Sequence, residues 1–215
     1  MTNICNDLHT WLRQLPVFSF PYDETRIPEN GIYILFEKGE FGHGVYRIVR
    51  VGTHTGENQL RSRLRQHFLH SNKDRSIFRK NIGRAYLQQS SDPYLSVWEL
   101  DMTTKQARDL HGKKVHKETQ EKVESRISNY MQKNFFFSVI RVDDKHERLA
   151  LESKIISTVS SCTICKPSST WLGLHSTKAK IRESGLWLVN ELYKEPLSNA
   201  DIKRFADRLH LTFPM

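Results

Sequence analysis

The amino-acid sequence has no apolar run that approaches the roughly 20 residues needed to cross a bilayer. Its first residues, Met1 to Thr10, include a charged side chain and lack the apolar stretch of a secretory signal. We therefore expect a soluble, cytoplasmic protein that has no membrane partner.

Cysteine is also scarce, because the chain has only Cys5, Cys162 and Cys165 among its 215 residues. An odd and small number of cysteines cannot make a disulfide framework, so we expect reduced thiols. Cys162 and Cys165 form a CxxC pair, but a structural zinc site needs four ligands, and only Cys5 or His175 could add to the pair. We therefore favour ordinary semi-buried cysteines over a zinc-binding interaction protein.

Glycine and proline are few, at 10 and 7 residues, and hydrophobic residues make up 38% of the chain. With this length, the composition predicts one compact domain, residues 1–215, without internal repeats. Acidic residues are outnumbered, 24 against 33 basic ones, which gives a formal net charge of +9. A polyanion is the natural partner for such a charge, although a membrane surface or solubility alone would also account for it.

Three β-rich runs indicate strands, and a glycine-containing turn separates the first two. The predicted fold class is α/β, more narrowly α+β: a small, mainly antiparallel sheet of three strands, or a larger mixed one, flanked by helices. The strands are Gly31 to Glu37, Val45 to Val51 and Phe135 to Val142, with a turn from Lys38 to Gly44 and another short strand from Tyr94 to Leu100.

Apolar residues at helical spacing predict the helices around this sheet. An N-terminal lead-in, residues 1–28, contains a short helix that ends at Pro16. A charged helix pair, broken near Gly112, forms an insertion over residues 103–133, and a C-terminal extension covers residues 167–215. The other predicted helices are Gln59 to His70, one capped by Asp74 and reaching about Ile82, Lys145 to Val159, and Asp201 to His210 with Ser198 or Asn199 as its cap.

Basic residues are concentrated between Arg61 and Arg84, where eight of them accompany the single acid Asp74. Such a local excess suits a surface that follows a phosphate backbone, although a solvated helix face is the commoner explanation. Within this segment Arg63 lies beside the apolar stripe of its helix, where an arginine needs a partner. A planar guanidinium can bind phosphate in two places and stabilise the charge that develops during phosphoryl hydrolysis.

Glu152 is the second unusual charge, because it falls among the apolar residues of the helix from Lys145 to Val159. A carboxylate in that position is either paired with an internal arginine or holds a divalent metal ion. Arg63 and Glu152 are far apart in sequence, and a shared site requires the fold to bring them together.

Several of these features together resemble the GIY-YIG nuclease superfamily. The resemblance rests on GIY at Gly31 to Tyr33, Val51-Gly52-Thr53 at the end of the second strand, the helix LRSRLRQHF at Leu60 to Phe68, and a late helical glutamate. It covers roughly residues 29–70 and 135–161.

This resemblance implies a metal-dependent endonuclease that hydrolyses DNA, with Mg²⁺ or Mn²⁺ as cofactor and a homodimer as one assembly. Tyr33 is then the motif tyrosine that orients or activates water, Gly52 the motif glycine where DNA approaches, and Arg63 the catalytic arginine. His67 is the neighbouring histidine, and Glu152 is the single metal-binding carboxylate.

The chain departs from the family pattern at two points. Arg50 stands where the second motif has its tyrosine; it could bind phosphate but cannot act as a base at neutral pH. Tyr46, which lies on the same side of an ideal strand as Arg50, is a candidate substitute for that tyrosine. The family asparagine after the glutamate is not obvious, with Lys166, the Ser168–Thr170 segment and Asn190 as candidates. These departures leave open a non-catalytic nucleic-acid-binding module that keeps the fold.

Other residues are expected to contact DNA or the core. Backbone contacts to DNA are predicted for Gly52, Arg61, Arg65, Arg79, Lys80, Arg84 and His175, the last of which could instead cap a turn. Trp171 and Trp187 are predicted to anchor the C-terminal extension in the core rather than stack on bases.

Overall fold

A computed structural model describes the backbone of residues 4–212 and the side chains through residue 205. Its sheet has four antiparallel strands in the spatial order β1-β4-β2-β3. The strands are β1 (Phe18–Ser19), β2 (Gly31–Gly42), β3 (Val45–Gly52) and β4 (Phe135–Arg141). The predicted α+β class is confirmed, and the described sheet is antiparallel throughout.

The helices follow most of the predicted order. They are α1 (Ile4–Leu12), α2 (Leu60–Phe68), α3 (Ile77–Gln89), α4 (Leu95–Trp98), α5 (Lys105–His111), α6 (Lys117–Asn134), α7 (Lys145–Ser160), α8 (Ala179–Ser184) and α9 (Asn199–Thr212). Short 3-10 turns occupy Glu24–Arg26, Gly112–Lys114 and Leu172–His175. Among the described residues, no helix is long and apolar enough to cross a membrane.

Apolar side chains cover both faces of the sheet, so the chain has two buried cores. Alternate residues of β2 point to opposite faces, as the pleat requires, with Tyr33 in one core and Ile32 and Ile34 in the other. The first core adds residues of α2, α3, α6 and the C-terminal tryptophans, and the second adds residues of α1, α7 and α9. The helices carrying Arg63 and Glu152 therefore pack on opposite faces of the sheet.

The β2–β3 hairpin is longer than predicted. The expected turn from Lys38 to Gly44 is wrong, because β2 continues to Gly42 and the turn consists of His43 and Gly44, with φ of 56° and 74°. Positive φ at both positions matches the right-handed twist of a tight hairpin. The register shifts where Leu35 pairs with Arg50 but Phe36 pairs with Ile48, which leaves Val49 as an extra residue of β3.

The predicted strand from Tyr94 to Leu100 is also wrong, because the segment is the helical turn α4. Its Trp98 is fully buried and donates a hydrogen bond from Nε1 to the Lys80 carbonyl at 2.9 Å. A Cβ at Gly83 would come within 2.4 Å of the Trp98 ring, so the absence of a side chain on α3 admits the indole. This long-range packing overrides the strand-like local composition.

Two predicted caps are resolved by the structure. Ser76, not Asp74, caps α3 and accepts from the Arg79 amide at 3.3 Å, while Asp74 forms an ion pair with Lys73. Ser198 accepts from the Asp201 amide at 3.2 Å at the beginning of α9. The helix pair of residues 103–133 breaks at Gly112–Lys114 as expected, and α6 buries Val123, Ile127 and Met131.

Candidate active site

The beginning of β2 and the end of β3 meet at one end of the sheet, where Tyr33 lies opposite Gly52. A Cβ built on Gly52 would come within 2.1 Å of the Tyr33 hydroxyl oxygen. A contact of 2.1 Å is far shorter than any van der Waals separation, so no other residue fits at position 52 without moving the tyrosine. Gly52 thus makes room for the Tyr33 side chain, whereas the family resemblance suggested that it makes room for DNA.

A buried chain of hydrogen bonds begins at Tyr33. Its hydroxyl oxygen lies 2.8 Å from His67 Nε2, and His67 Nδ1 lies 2.7 Å from the Ser76 hydroxyl. All three residues have no exposed surface. Burial, followed by the positive charge of Arg63, holds the pKa of His67 well below its ordinary value, so the imidazole is neutral at neutral pH.

Glu152 projects from α7 into a pocket of about 390 Å³, between Leu149 and Ile156 of the same helix. Burial is the main cause that raises the pKa of this half-buried carboxyl to about 7. The charges of Arg50 and Arg63 and a hydrogen bond from the Thr53 amide act in the opposite direction. The carboxylate therefore lacks enough positive charge around it to be fully ionised at neutral pH.

Arg63 is partly exposed on α2, and its charge acts on both Glu152 and His67. The guanidinium donates to Gln66 Oε1 at 2.9 Å and to the Arg75 carbonyl at 3.1 Å. Both acceptors are neutral, so these bonds orient the guanidinium without cancelling its charge. Although α2 and α7 pack on opposite faces of the sheet, Arg63 is near enough to Glu152 for its charge to lower the pKa of that carboxyl.

Arg50 lines the pocket beside Glu152 and is held rigidly. Its guanidinium donates to the Trp187 carbonyl and lies 4.9 Å from the centre of the Phe78 ring. Among the described residues, its buried Nε atom has no hydrogen-bond partner. An arginine in this position supplies a fixed positive charge that attracts an anion to the pocket.

The pocket also contains residues that the sequence did not single out. Asn81 of α3 and Glu191 of the C-terminal extension line it together with Asn190. Glu191 has a φ of 61°, and its negative charge contributes to the raised pKa of Glu152. Asn81 and Glu191 are ordinary surface-type residues in the sequence, and no local pattern distinguishes them.

Of the residues considered for the family asparagine, Asn190 lines this pocket. Ser168 lies elsewhere, where it binds the Glu40 carboxylate of the buried Glu40–Arg47 ion pair. Trp171 and Trp187 both donate to Glu37 Oε2, at 2.8 and 2.9 Å, which places both indoles in the core.

Tyr46 does not lie beside Arg50. It stacks on Phe41 with ring centres 4.9 Å apart and meets Phe136 at 4.7 Å, on the face of the sheet covered by α1. The extra residue Val49 reverses the alternation between Tyr46 and Arg50. The expectation that the two share a face, drawn from an ideal strand, needs this correction.

Three basic residues expected to contact DNA are buried in ion pairs instead. Arg79 pairs with Glu124 at 2.7 Å with no exposed side-chain surface, and Arg84 pairs with Glu99 at 2.7 Å. Lys80 lies 4.0 Å from the Asp74 carboxylate and, like Lys73, donates to the Leu100 carbonyl. These contacts give the cations structural partners, so we do not assign them to DNA.

The other basic residues remain nearer to solvent. Arg65 is exposed and forms an ion pair with Glu24, and Arg61 donates from Nε to the Ile27 carbonyl at 2.7 Å. His175 is exposed at the end of its 3-10 turn.

The fold and the pocket together define an α+β protein with one half-buried carboxyl and two arginines at the end of an antiparallel sheet. A family model for the GIY-YIG domain matches residues 3–212, so the chain belongs to the GIY-YIG domain family. Members of this family are typically nucleases. Comparisons with curated proteins and with solved structures gave no match.

The family suggests a divalent metal ion. Its potential ligand is the Glu152 carboxylate, an oxygen ligand of the kind that Mg²⁺ and Mn²⁺ prefer, whereas Glu191 in the same pocket already accepts from Ser153 and Lys194. The raised pKa of Glu152 shows a carboxyl that gains from a nearby cation. This single carboxylate fits a hard divalent ion that would keep several of its waters.

Proposed function

We propose that this protein is an endonuclease that hydrolyses phosphodiester bonds in DNA with Mg²⁺ or Mn²⁺ as cofactor. The observation that carries this proposal is a pocket that Arg50 of β3 and the half-buried Glu152 of α7 line together, with Arg63 of α2 near enough for its charge to lower the pKa of Glu152. Two cations whose charges act on one half-buried carboxyl suit a site for a phosphate and a metal ion together.

Each residue has a distinct part in this site. Arg63 binds a phosphate oxygen through the guanidinium face that its bonds to Gln66 and Arg75 leave free, and stabilises the charge of the transition state. Arg50, which lines the pocket beside Glu152, adds a positive charge that attracts the same phosphate. Glu152 holds the divalent ion, whose chemistry when bound is to polarise the phosphate ester and assist the leaving oxygen.

Tyr33 and His67 have a positioning part in this proposal. Their complete burial does not support direct contact between the Tyr33 hydroxyl and an attacking water. The chain from Tyr33 through His67 to Ser76 instead ties β2 to α2 and to the beginning of α3. Because α2 also carries Arg63, this tie sets the position of the guanidinium relative to Gly52.

DNA is the proposed partner because its backbone matches the charge of the chain. The net charge is +9, and Arg61 and Arg65 lie on the same helix as Arg63 and near solvent. His175 remains a proposed phosphate contact. A homodimer would supply the second site that a double-strand cut requires.

The test is cleavage of supercoiled plasmid, unmodified and methylated, with Mg²⁺ or Mn²⁺ and with EDTA as the metal-free arm. We expect nicking or linearisation by the wild type, and a loss of at least about 100-fold in rate for Glu152→Gln and Arg63→Ala. Glu147→Gln, an exposed acid on the same helix, and Arg126→Ala, an exposed arginine on α6, are the matched controls.

The opposite result is equally definite. A wild-type protein that retards DNA on a gel but cuts no plasmid with either metal would be a nucleic-acid-binding module, and the proposed activity would be wrong. Equal cleavage by wild type and Glu152→Gln would remove Glu152 from the site.

A further inference from the structure

Two cysteines and two histidines gather at the far end of the β2–β3 hairpin, away from the Gly52 end. Cys5 and His9 lie one turn apart on α1, His43 is in the hairpin turn, and Cys165 is in the loop after α7. Their four potential ligand atoms all lie within 4.8 Å of one another. We propose that these four residues bind one structural Zn²⁺ ion.

Two of the distances between the ligand atoms match those of a tetrahedral zinc site. With Zn–S bonds of about 2.3 Å and Zn–N bonds of about 2.0–2.1 Å, tetrahedral geometry requires sulfurs roughly 3.8 Å apart and sulfur–nitrogen pairs roughly 3.6 Å apart. The two Sγ atoms are 3.6 Å apart, and Cys165 Sγ is 3.7 Å from His9 Nε2. A metal ion would enter with only small movements of the side chains.

The His9 ring is already oriented as a zinc ligand. Its Nδ1 donates to the Cys5 carbonyl at 2.8 Å, which leaves the lone pair of Nε2 directed at Cys165. Zinc-binding histidines usually donate their second ring nitrogen to such an acceptor. One helix thus supplies two ligands and the support for one of them.

The backbone brings the remaining two ligands to the helix. His43 adopts a φ of 56° in the hairpin turn. At the neighbouring Gly42, a Cβ would lie 3.1 Å from Cys165 Sγ, so the glycine leaves room for the thiol. Cys5, His9 and Cys165 are each at most 5% exposed. Four protein ligands in a closed site are typical of structural rather than catalytic zinc.

The charge balance also favours zinc. Two thiolates would neutralise Zn²⁺, and two neutral imidazoles would complete the coordination, so the buried site carries no net charge. This ligand set differs from the CxxC pair suggested by the sequence. Cys162 is half-buried, contacts His43 Nε2 at 3.3 Å and stands outside the four-residue group, and His175 is not part of it.

The test is elemental analysis of the untagged full chain, purified in reducing buffer without added metal. We expect about one zinc per chain, and X-ray absorption at the zinc edge should show two sulfur and two nitrogen neighbours. Cys5→Ser and Cys165→Ser should lose the zinc, whereas Cys162→Ser is the matched control that should keep it. Absence of zinc, or loss of zinc in Cys162→Ser, would overturn the proposed site.

A measurement on the wild type covers the case in which the variants do not fold. Replacement of zinc by Co²⁺ should give the visible absorption of tetrahedral cobalt and a thiolate charge-transfer band. A strong chelator should remove the metal and lower the Tm. Octahedral-type cobalt spectra or an unchanged Tm would contradict the proposal. Zinc content should be the same in Glu152→Gln, so this result is independent of nuclease activity.

Discussion

The hydroxyl oxygen of Tyr33 lies only 2.1 Å from the position that a Cβ at residue 52 would occupy. The two residues are paired across neighbouring strands, and the tyrosine continues to His67 of α2. The motif glycine therefore positions a helix as well as a strand.

Gly52→Ala should displace Tyr33 and break its bond to His67. Overpacking of this kind costs about 1–3 kcal/mol in the free energy of unfolding, which urea titration would measure. Cleavage should fall as well, because α2 carries Arg63. Gly112→Ala, where a Cβ would meet no atom within 4 Å and φ is −54°, is the control for the added methyl group. A fully stable and active Gly52→Ala protein would contradict the packing described.

Tyr33→Phe separates a positioning role from direct catalysis. The substitution leaves His67 Nε2 without its partner in the core, which should lower the free energy of unfolding by about 1–3 kcal/mol. We expect a smaller loss of cleavage than in Glu152→Gln. If stability is unchanged while cleavage disappears, the hydroxyl contacts the reacting atoms and the positioning role is wrong.

Glu152→Gln should make the metal-free protein more stable at alkaline pH. Burial raises the pKa of Glu152 from 4.5 to about 7, so the folded chain holds a proton that the unfolded chain releases between these values. Stability from the neutral carboxyl is thus full below about 4.5 and is lost as pH rises through about 7. The variant should gain on the order of 1 kcal/mol at alkaline pH, after allowance for solvent screening.

Urea unfolding in EDTA at acidic and alkaline pH measures this difference. Mg²⁺ should reduce it, because the ion stabilises the ionised carboxylate of the wild type and not the amide. If the difference in free energy of unfolding between Glu152→Gln and the wild type does not grow with pH, Glu152 is exposed to water and does not lie in the half-buried pocket.

Arg79→Met should destabilise the fold rather than weaken DNA binding alone. It leaves the Glu124 carboxylate buried without its cation, and breaking such a pair costs about 3–5 kcal/mol. Arg75→Met, an exposed neighbour, should change stability by less than about 0.5 kcal/mol. Thermal unfolding compares the two; equal stability together with weakened DNA binding in Arg79→Met would restore the original assignment to DNA.

Local sequence patterns predicted the mainly antiparallel sheet, the helices that carry Arg63 and Glu152, and the family. Alternating strands, helical spacing and turn residues act over a few neighbouring positions, so the sequence displays them directly. The local pattern predicted a strand from Tyr94 to Leu100, but burial of Trp98 against Gly83 of α3 makes this segment helical.

Tertiary structure alone decided which charged and polar groups meet. Arg79 resembles a phosphate contact in the sequence, but its partner Glu124 is 45 positions away. Glu191 joins Glu152, and Cys165 joins Cys5 across 160 positions, only because the chain folds around both faces of one sheet. The energy of a charge or a metal ligand depends on neighbours in space, and separation along the chain does not reveal them.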